Sequence, residues 1–358
     1  MSSFACRALV ALLLSCIVGC KADPEAPGTA STPALQLSAD DIVSQSDCFG
    51  SKSYDGWMEQ LREKNNVLIY ALLRLKFPES DYDRYRQQLD CRYIQYRSDQ
   101  YIVDAWLVVP RHGSGGNANT ARGGAGLPVI LYNRGGNRSY GALSFAHLFT
   151  HVFPLAEQGY IVAASQYRGS TTPQDSGSSP DEFGGADVRD VTNLARIVAG
   201  LPDADPDNLF MVGQSRGSIM TFRALLETPL PIRAVAIYSG VYDLYDLLEM
   251  RPGFEELFDT LIPDYQQQRK AELDGRSVTH WPAQLPEHTG VLMFHGDEDE
   301  RAPVGSARTL AGELDRLGRP HRLIVYPGES HFLDGVRPEV REETLRWFDR
   351  FRQPPSER

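Results

Sequence analysis

The chain has 358 residues, a hydrophobic content of 42% and a formal net charge of −11. That length accommodates one large domain plus an accessory piece, and the apolar fraction is that of a globular protein with a real core. An acidic balance with no extended basic run argues against nucleic acid as a partner.

Residues 1–19 read as a signal peptide. Arg7 supplies a short positive flank, and Ala8–Val18 is an apolar stretch too short to span a bilayer as a helix. The stretch ends in Ile17-Val18-Gly19-Cys20, which resembles a bacterial lipobox. The resemblance implies cleavage before Cys20 and a diacylglycerol on its thiol. With Lys21 next, it also implies an outer-membrane anchor facing the periplasm. The other reading is an ordinary secretory signal cut near Ala22. Residues 20–38, with Pro24, Pro27, Gly28 and Pro33, cannot bury a core and read as a tether. Cys6 and Cys16 leave with the signal, so Cys48 and Cys91 remain as an even pair in an oxidising compartment. A disulfide between them and two separate buried thiols are both open readings.

Residues 39–90 carry a helical pattern. Trp57, Leu61, Val67, Ile69 and Leu72 to Leu75 recur at near-helical spacing, Pro78 stops the run, and Ser80 or Asp81 caps a further helix through Leu89. From residue 91 to 352 strands and helices alternate. Tyr93–Arg97 and Tyr101–Val109 predict a hairpin, and 113–126 is a glycine-rich loop. Strands are then predicted at Leu127–Tyr132, Tyr160–Ser165, Asn208–Val212, Ile232–Tyr238, Val291–Phe294 and Arg322–Tyr326. Helices fall at Leu143–Gln158, Ala186–Val198, Ser218–Leu226, Val304–Leu317 and Glu339–Phe351. Residues 240–285, with Pro252, Pro263 and Pro282, break the alternation and read as an insertion overhanging the site. The fold class is α/β: a mostly parallel sheet of about eight strands with helices on both faces, preceded by a short helical segment.

Gly213-Gln214-Ser215-Arg216-Gly217 lies where a buried strand meets a helix, which is the setting of a nucleophile elbow. The turn would lift the Ser215 hydroxyl above the sheet edge, and the helix would aim free N–H groups at a developing oxyanion. A serine nucleophile needs a base and an acid that orients the base, here in chain order serine, acid, histidine. The loop after Val291–Phe294 begins His295-Gly296-Asp297-Glu298-Asp299, and the loop after Arg322–Tyr326 reads Pro327-Gly328-Glu329-Ser330-His331. His331 is the base. His321 precedes its strand, and His112, His147, His151, His280 and His288 have no catalytic placement. Asp297 and Asp299 compete for the acid, with Asp299 further into the loop. No metal or organic cofactor is called for, because Asp297–Glu300 lacks the spacing of a calcium loop. Tyr238, Tyr242 and Tyr245, just beyond a strand end, either line an apolar substrate pocket or pack the core.

Taken together, these motifs resemble the catalytic domain of the prolyl oligopeptidase family. His295-Gly296-x-x-Asp299 matches that family's acid motif and implies Asp299 as the acid. Tyr167-Arg168-Gly169-Ser170, Phe183-Gly184-Gly185-Ala186-Asp187, the elbow, and Gly328-x-x-His331 complete the set, from Cys91 to Phe351. The resemblance implies an α/β-hydrolase fold and a serine peptidase that cleaves peptide or related acyl bonds through Ser215, Asp299 and His331. The family's peptidases usually carry a β-propeller ahead of this domain, and Ala39–Asp90 is far too short for one. A carboxylesterase of the same fold is therefore the second reading, and a non-catalytic envelope lipoprotein that binds a ligand is the third. The expected partners are a small peptide or ester substrate and, through the lipid, a membrane.

In relatives a His or Tyr commonly precedes the oxyanion-loop glycine pair, where Asn133-Arg134-Gly135-Gly136 has an arginine. In one reading Arg134 aims its guanidinium at the oxyanion or at a substrate carboxylate, with the Arg216 N–H as second donor. In the other it pairs with a neighbouring acid, and backbone N–H groups such as those of Gly135 and Arg216 serve alone.

Overall fold

A computed structural model describes residues 41–50, 53–111, 126–170 and 181–354. The expectations for the signal, Cys20, the tether and most of the glycine-rich loop lie outside the described residues. Apolar runs pair into one sheet: β1 (Ile42–Asp47), β2 (Leu89–Ser98), β3 (Tyr101–Pro110), β4 (Leu127–Asn133), β5 (Ile161–Ser165), β6 (Ala204–Gln214), β7 (Ile232–Tyr238), β8 (Gly290–Gly296) and β9 (His321–Tyr326). Their order is β1-β2-β3-β5-β4-β6-β7-β8-β9. The pairs β1–β2, β2–β3 and β3–β5 are antiparallel, and the remainder are parallel.

The strand period of two divides the core into two faces. Ile130, Tyr132, Phe210 and Val212 point to one side, where they meet α4 (residues 145–156) and α11 (Arg337–Phe351). Val129, Leu131, Leu209 and Met211 point to the other, against α5 (Val188–Ala199), α6 (Gly217–Glu227) and α10 (Val304–Arg316). Burial on both faces is what makes these parallel strands read as continuous apolar runs.

The sheet has nine strands rather than about eight, and the extra one corrects the expectation that residues 39–90 are wholly helical. β1 pairs on one side only and is largely exposed and polar, so it has no apolar alternation to read. The rest of that segment is helical as expected: α1 (Tyr54–Glu63), α2 (Val67–Lys76) and α3 (Glu79–Gln88). Ser53 and Asn66 cap the first two by accepting from the Gly56 and Ile69 N–H groups at 3.2 and 3.0 Å. Phe49, Trp57, Phe77 and Tyr82 interlock with Phe145, Phe149 and Phe153 of α4, so the preface shares the main core. Of the two readings for Cys48 and Cys91, the structure takes the disulfide, with Cα atoms 5.4 Å apart. It fastens the end of β1 to β2.

Residues 240–285, read above as an insertion, carry α7 (Leu244–Met250), α8 (Phe254–Leu261), α9 (Tyr265–Arg276) and two short 3₁₀ turns. Its own core of Leu244, Leu247, Phe258 and Leu273 closes on Phe183, on Ile219 of α6, and on Ala302 beyond β8. The register brings Gln214, Tyr238, Phe294 and Ile324 abreast, so the loops after β6, β8 and β9 leave from the same sheet edge. This edge positions the site.

Candidate active site

Ser215 follows β6 directly with φ at +53°, a left-handed conformation uncommon for a residue with a side chain. The turn is held by the Ser215 N–H donating to the Tyr238 carbonyl at 2.9 Å, and by the Ser218 N–H donating to the Ser215 carbonyl at 2.9 Å. Gly217 is required sterically, since a Cβ there would stand 1.9 Å from the Asn133 carbonyl oxygen. Gly135 lies directly against the serine: a Cβ on it would come within 3.0 Å of Ser215 Cβ. Among the described residues neither the Gly135 nor the Arg216 backbone N–H finds an acceptor. Two unspent donors therefore flank the Ser215 side chain, at the start of α6 where the helix dipole is positive.

Asp299 and His331 are both buried, and Oδ2 of the acid accepts from the imidazole Nδ1 at 2.8 Å. The other oxygen, Oδ1, accepts the Arg301 and Ala302 N–H groups at 2.8 and 3.0 Å. Burial pushes the Asp299 pKa up, but hydrogen bonds from His295 and His331 and the His331 charge outweigh it. The net shift is downward. The acid is thus held ionised, and the Nδ1 bond leaves His331 Nε2 as the nitrogen available for proton transfer. Asp297, the rival acid, is turned away: its Oδ1 accepts the Gly328 N–H at 2.6 Å and steadies the histidine loop. His331 also lines a small cavity with His151, Gln214, Tyr238 and Phe332.

The motifs gave His295 no individual role. It is fully buried, and its Nε2 lies 3.1 Å from Asp299 Oδ2 and 3.0 Å from the Ala302 carbonyl, so the acid is steadied by a second imidazole. The sequence signal was available, since His295 opens the acid motif.

Both placements expected for the Arg134 guanidinium are corrected, while among the described residues the backbone N–H groups of Gly135 and Arg216 stay free, as the second reading had them. Its guanidinium is buried and faces neither an oxyanion position nor a carboxylate. It donates to the carbonyls of Gly135, Arg138, Tyr140 and Gln166 and to Ser170 Oγ, at 2.6–3.3 Å. Its N–H groups are spent on the oxyanion loop and on the segment after β5, tying the two together and fixing Gly135 in place. Tyr167, itself at φ +61°, lies under the cation and donates from its hydroxyl to the Arg134 carbonyl at 3.2 Å.

Arg216 has a second use that the pentapeptide did not reveal. Its buried guanidinium donates to Asp181 and Asp187 and, at 3.0 Å, to the Gly136 carbonyl, clamping the elbow to the oxyanion loop. Burial pushes Asp187 up to about 6. Asp181 is held below its ordinary value because Arg216 and the N–H groups of Arg138 and Phe183 outweigh its own burial.

The substrate-pocket role is corrected for Tyr242 and Tyr245, whereas Tyr238 lines the cavity beside His331. Tyr242 is fully buried, its ring packed at 6.1 Å on both Phe222 and His295. Tyr245 spends its hydroxyl on Asp274 at 2.8 Å and stacks on His280 within the insertion.

A sequence model of the prolyl oligopeptidase family matches residues 146–353, more than half the chain. The chain is 24% identical over 203 residues to "Uncharacterized peptidase YtmA" of Bacillus subtilis, covering 57% of this chain and 75% of that one. It is 26% identical over 220 residues to "Probable isoprenylcysteine alpha-carbonyl methylesterase ICME" of Oryza sativa subsp. japonica, covering 57% of this chain and 51% of that one. Among solved structures it shares the fold of Pyrococcus horikoshii acylaminoacyl peptidase with a TM-score of 0.59 at 19% identity, over 76% of this chain and 43% of that one. The chain therefore spans about half or less of two of these three proteins.

Proposed function

Because the chain belongs to the prolyl oligopeptidase family, we propose that it is a serine peptidase working through an acyl-enzyme on Ser215. The observation that carries this reading is the Asp299–His331 bond, set at the same sheet edge as a serine held at φ +53°. Ser215 Oγ attacks the substrate carbonyl while His331 Nε2 takes its proton. Asp299 holds the opposite nitrogen in its protonated form and stabilises the imidazolium. The Gly135 and Arg216 N–H groups receive the oxyanion. His331 then returns the proton to the leaving amine, and water repeats the sequence to free the acid.

A carboxylesterase is the second reading, favoured by the likeness to a methylesterase. A fluorophosphonate should label the wild type and not Ser215→Ala, and absence of labelling would leave the ligand-binding lipoprotein. Short peptide amides cleaved with kcat/KM within about tenfold of matched p-nitrophenyl esters would support the peptidase. Turnover confined to the esters would select the esterase.

The same proposal places the enzyme on the outer membrane, facing the periplasm, through lipid on Cys20. The pattern Ile17–Cys20 and the Cys48–Cys91 disulfide, a bond of oxidising compartments, support it. Cys20→Ser should move the protein from the membrane to the soluble fraction or arrest its processing. Mass spectrometry of a wild-type mature N-terminus without lipid would sink the idea.

A further inference from the structure

Helix α2 has the composition of a buried helix and the setting of an exposed one. Its sequence, Val67-Leu68-Ile69-Tyr70-Ala71-Leu72-Leu73-Arg74-Leu75-Lys76, is apolar almost all round, a pattern that belongs to a helix covered on every side. Only Leu73 is fully buried, with Ile69 and Tyr70 packed partly on the main core beside it. At about 100° per residue, Val67, Leu68, Ala71 and Leu75 share the opposite side, with Arg74 at its margin. Val67, Leu68 and Leu75 are 85%, 64% and 80% exposed, three of the seven large hydrophobic side chains left exposed among the described residues. Single exposed aliphatics are ordinary, but a contiguous stripe of them marks an interaction surface. The face is also firmly held. The Tyr54 hydroxyl of α1 donates to the Phe77 carbonyl at the end of α2 at 2.7 Å, and Asn66 caps its start.

Charge identifies what covers this face. Residues 62–76 carry Arg62, Lys64, Arg74 and Lys76 against the single acid Glu63, on a chain of net charge −11. Four of the five lysines, Lys21, Lys52, Lys64 and Lys76, fall in the first 76 residues. Two copies of the face set against each other would bring cations toward cations, which disfavours a dimer across it. An aliphatic stripe flanked by Lys and Arg instead suits an anionic bilayer. There the aliphatic side chains enter the acyl boundary and the cations stay with the headgroups. Twenty residues separate Cys20 from Asp41, where the described chain begins. A flexible chain of that length spans about 25 Å, close to the ~20 Å radius of gyration of a domain this size. A lipid on Cys20 would therefore keep the domain within its own width of the membrane.

We propose that α2 is a membrane-docking helix that lies on an anionic phospholipid surface, with Val67, Leu68 and Leu75 inserted and Lys64 and Arg74 at the headgroups. This goes beyond the catalytic reading and rests on the Cys20 anchor to supply the membrane. Docking orients the enzyme. Phe77 at the end of α2 packs 5.3 Å from Phe149, and the next two residues, Thr150 and His151, line the cavity beside His331. The active-site edge is thereby held at a set distance from the lipid.

The test reconstitutes the lipidated full chain in vesicles of phosphatidylethanolamine and phosphatidylglycerol. Cys48 and Cys91 are bonded to each other, so Leu68→Cys, Leu75→Cys or Gly312→Cys each provides one site for an environment-sensitive nitrobenzoxadiazole probe. Gly312 is the control, on α10 across the sheet, with nothing within 4 Å of an added Cβ. Spin-labelled lipid should quench the probes at 68 and 75 at least about threefold more than the probe at 312. Lys64→Gln and Arg74→Gln should each lower the docked-to-undocked ratio about fivefold, and added salt should lower it too, with circular dichroism unchanged. Equal quenching at all three sites overturns the proposal, and docking indifferent to both substitutions overturns the anionic surface. Probes at 68 and 75 that are already shielded without vesicles overturn it as well. The cover is then the chain itself or, where light scattering gives a dimer mass, a second copy. Mass spectrometry that finds Cys20 without lipid removes the anchor but not the face. The unlipidated protein should then still float with phosphatidylglycerol vesicles at low salt, and Leu68→Ser with Leu75→Ser should abolish flotation. Failure of that protein to float overturns the docking helix too.

Discussion

Ser215→Ala and His331→Ala should each reduce turnover to near background, and Asp299→Asn should lower kcat by up to about 10⁴-fold. The asymmetry follows from what each side chain does. Without Oγ no acyl-enzyme forms, and without the imidazole the hydroxyl keeps its proton. With asparagine at 299 the geometry survives, but the amide can turn an N–H toward Nδ1. That would favour the tautomer whose Nε2 bears hydrogen and cannot take the serine proton. His295 makes this position more exacting, because Oδ2 serves two imidazoles at 2.8 and 3.1 Å. Asp297→Asn should be mild, since a carboxamide oxygen still accepts the Gly328 N–H. Steady-state kinetics on one activated ester, with circular dichroism to confirm folding, decides the matter. A crippled Asp297→Asn beside an active Asp299→Asn would reverse the acid assignment.

Residues whose surroundings are set locally were legible in the sequence. Buried parallel strands are continuous apolar runs, so β4 to β9 were readable. The loops that follow them must emerge on one edge, so Ser215, the Asp297–Asp299 loop and His331 could be placed together by position and order, while only the family's acid motif chose Asp299 over Asp297. Residues whose partners arrive from far along the chain were not. Arg134 binds the carbonyl of Gln166, and a backbone carbonyl carries no sequence signature. Arg216 meets Asp181 and Asp187 only because the segment before α5 folds over the elbow. The exposed polar β1 has no pattern to betray it, since one neighbour supplies all its pairing. Tyr242 was misplaced for a related reason: a tyrosine just past a strand end faces solvent or core according to what covers it. Here the packing of α6 and β8 decides for the core.

Arg216→Met should destabilise the protein by about 3–5 kcal/mol, the usual cost of stranding a buried charge, even though Met matches much of the side-chain volume. The guanidinium is 2% exposed and holds Asp181 at 2.7 Å as well as Asp187, with Phe183 against its face. Removing it leaves two buried acids near one another with no cation between them. The loss should depend on pH, and the sign can be worked out. Burial already pushes Asp187 up to about 6 with Arg216 present, the Arg216 charge opposing it. Without that charge both acids titrate higher. A carboxyl whose folded pKa lies above its unfolded value binds more protons folded than unfolded between the two. Stability from that group therefore falls as pH rises through the window. The deficit of the variant should be largest near pH 8 and shrink toward pH 5. Urea denaturation of wild type and variant at both pH values measures it. Arg216→Met combined with Asp187→Asn should recover part of the loss at pH 8, because one of the two stranded charges is gone. A deficit below about 1 kcal/mol, or one that does not change between the two pH values, would mean the acids are not held ionised by Arg216, and the clamp between the elbow and the oxyanion loop would have to rest on the Gly136 carbonyl bond alone.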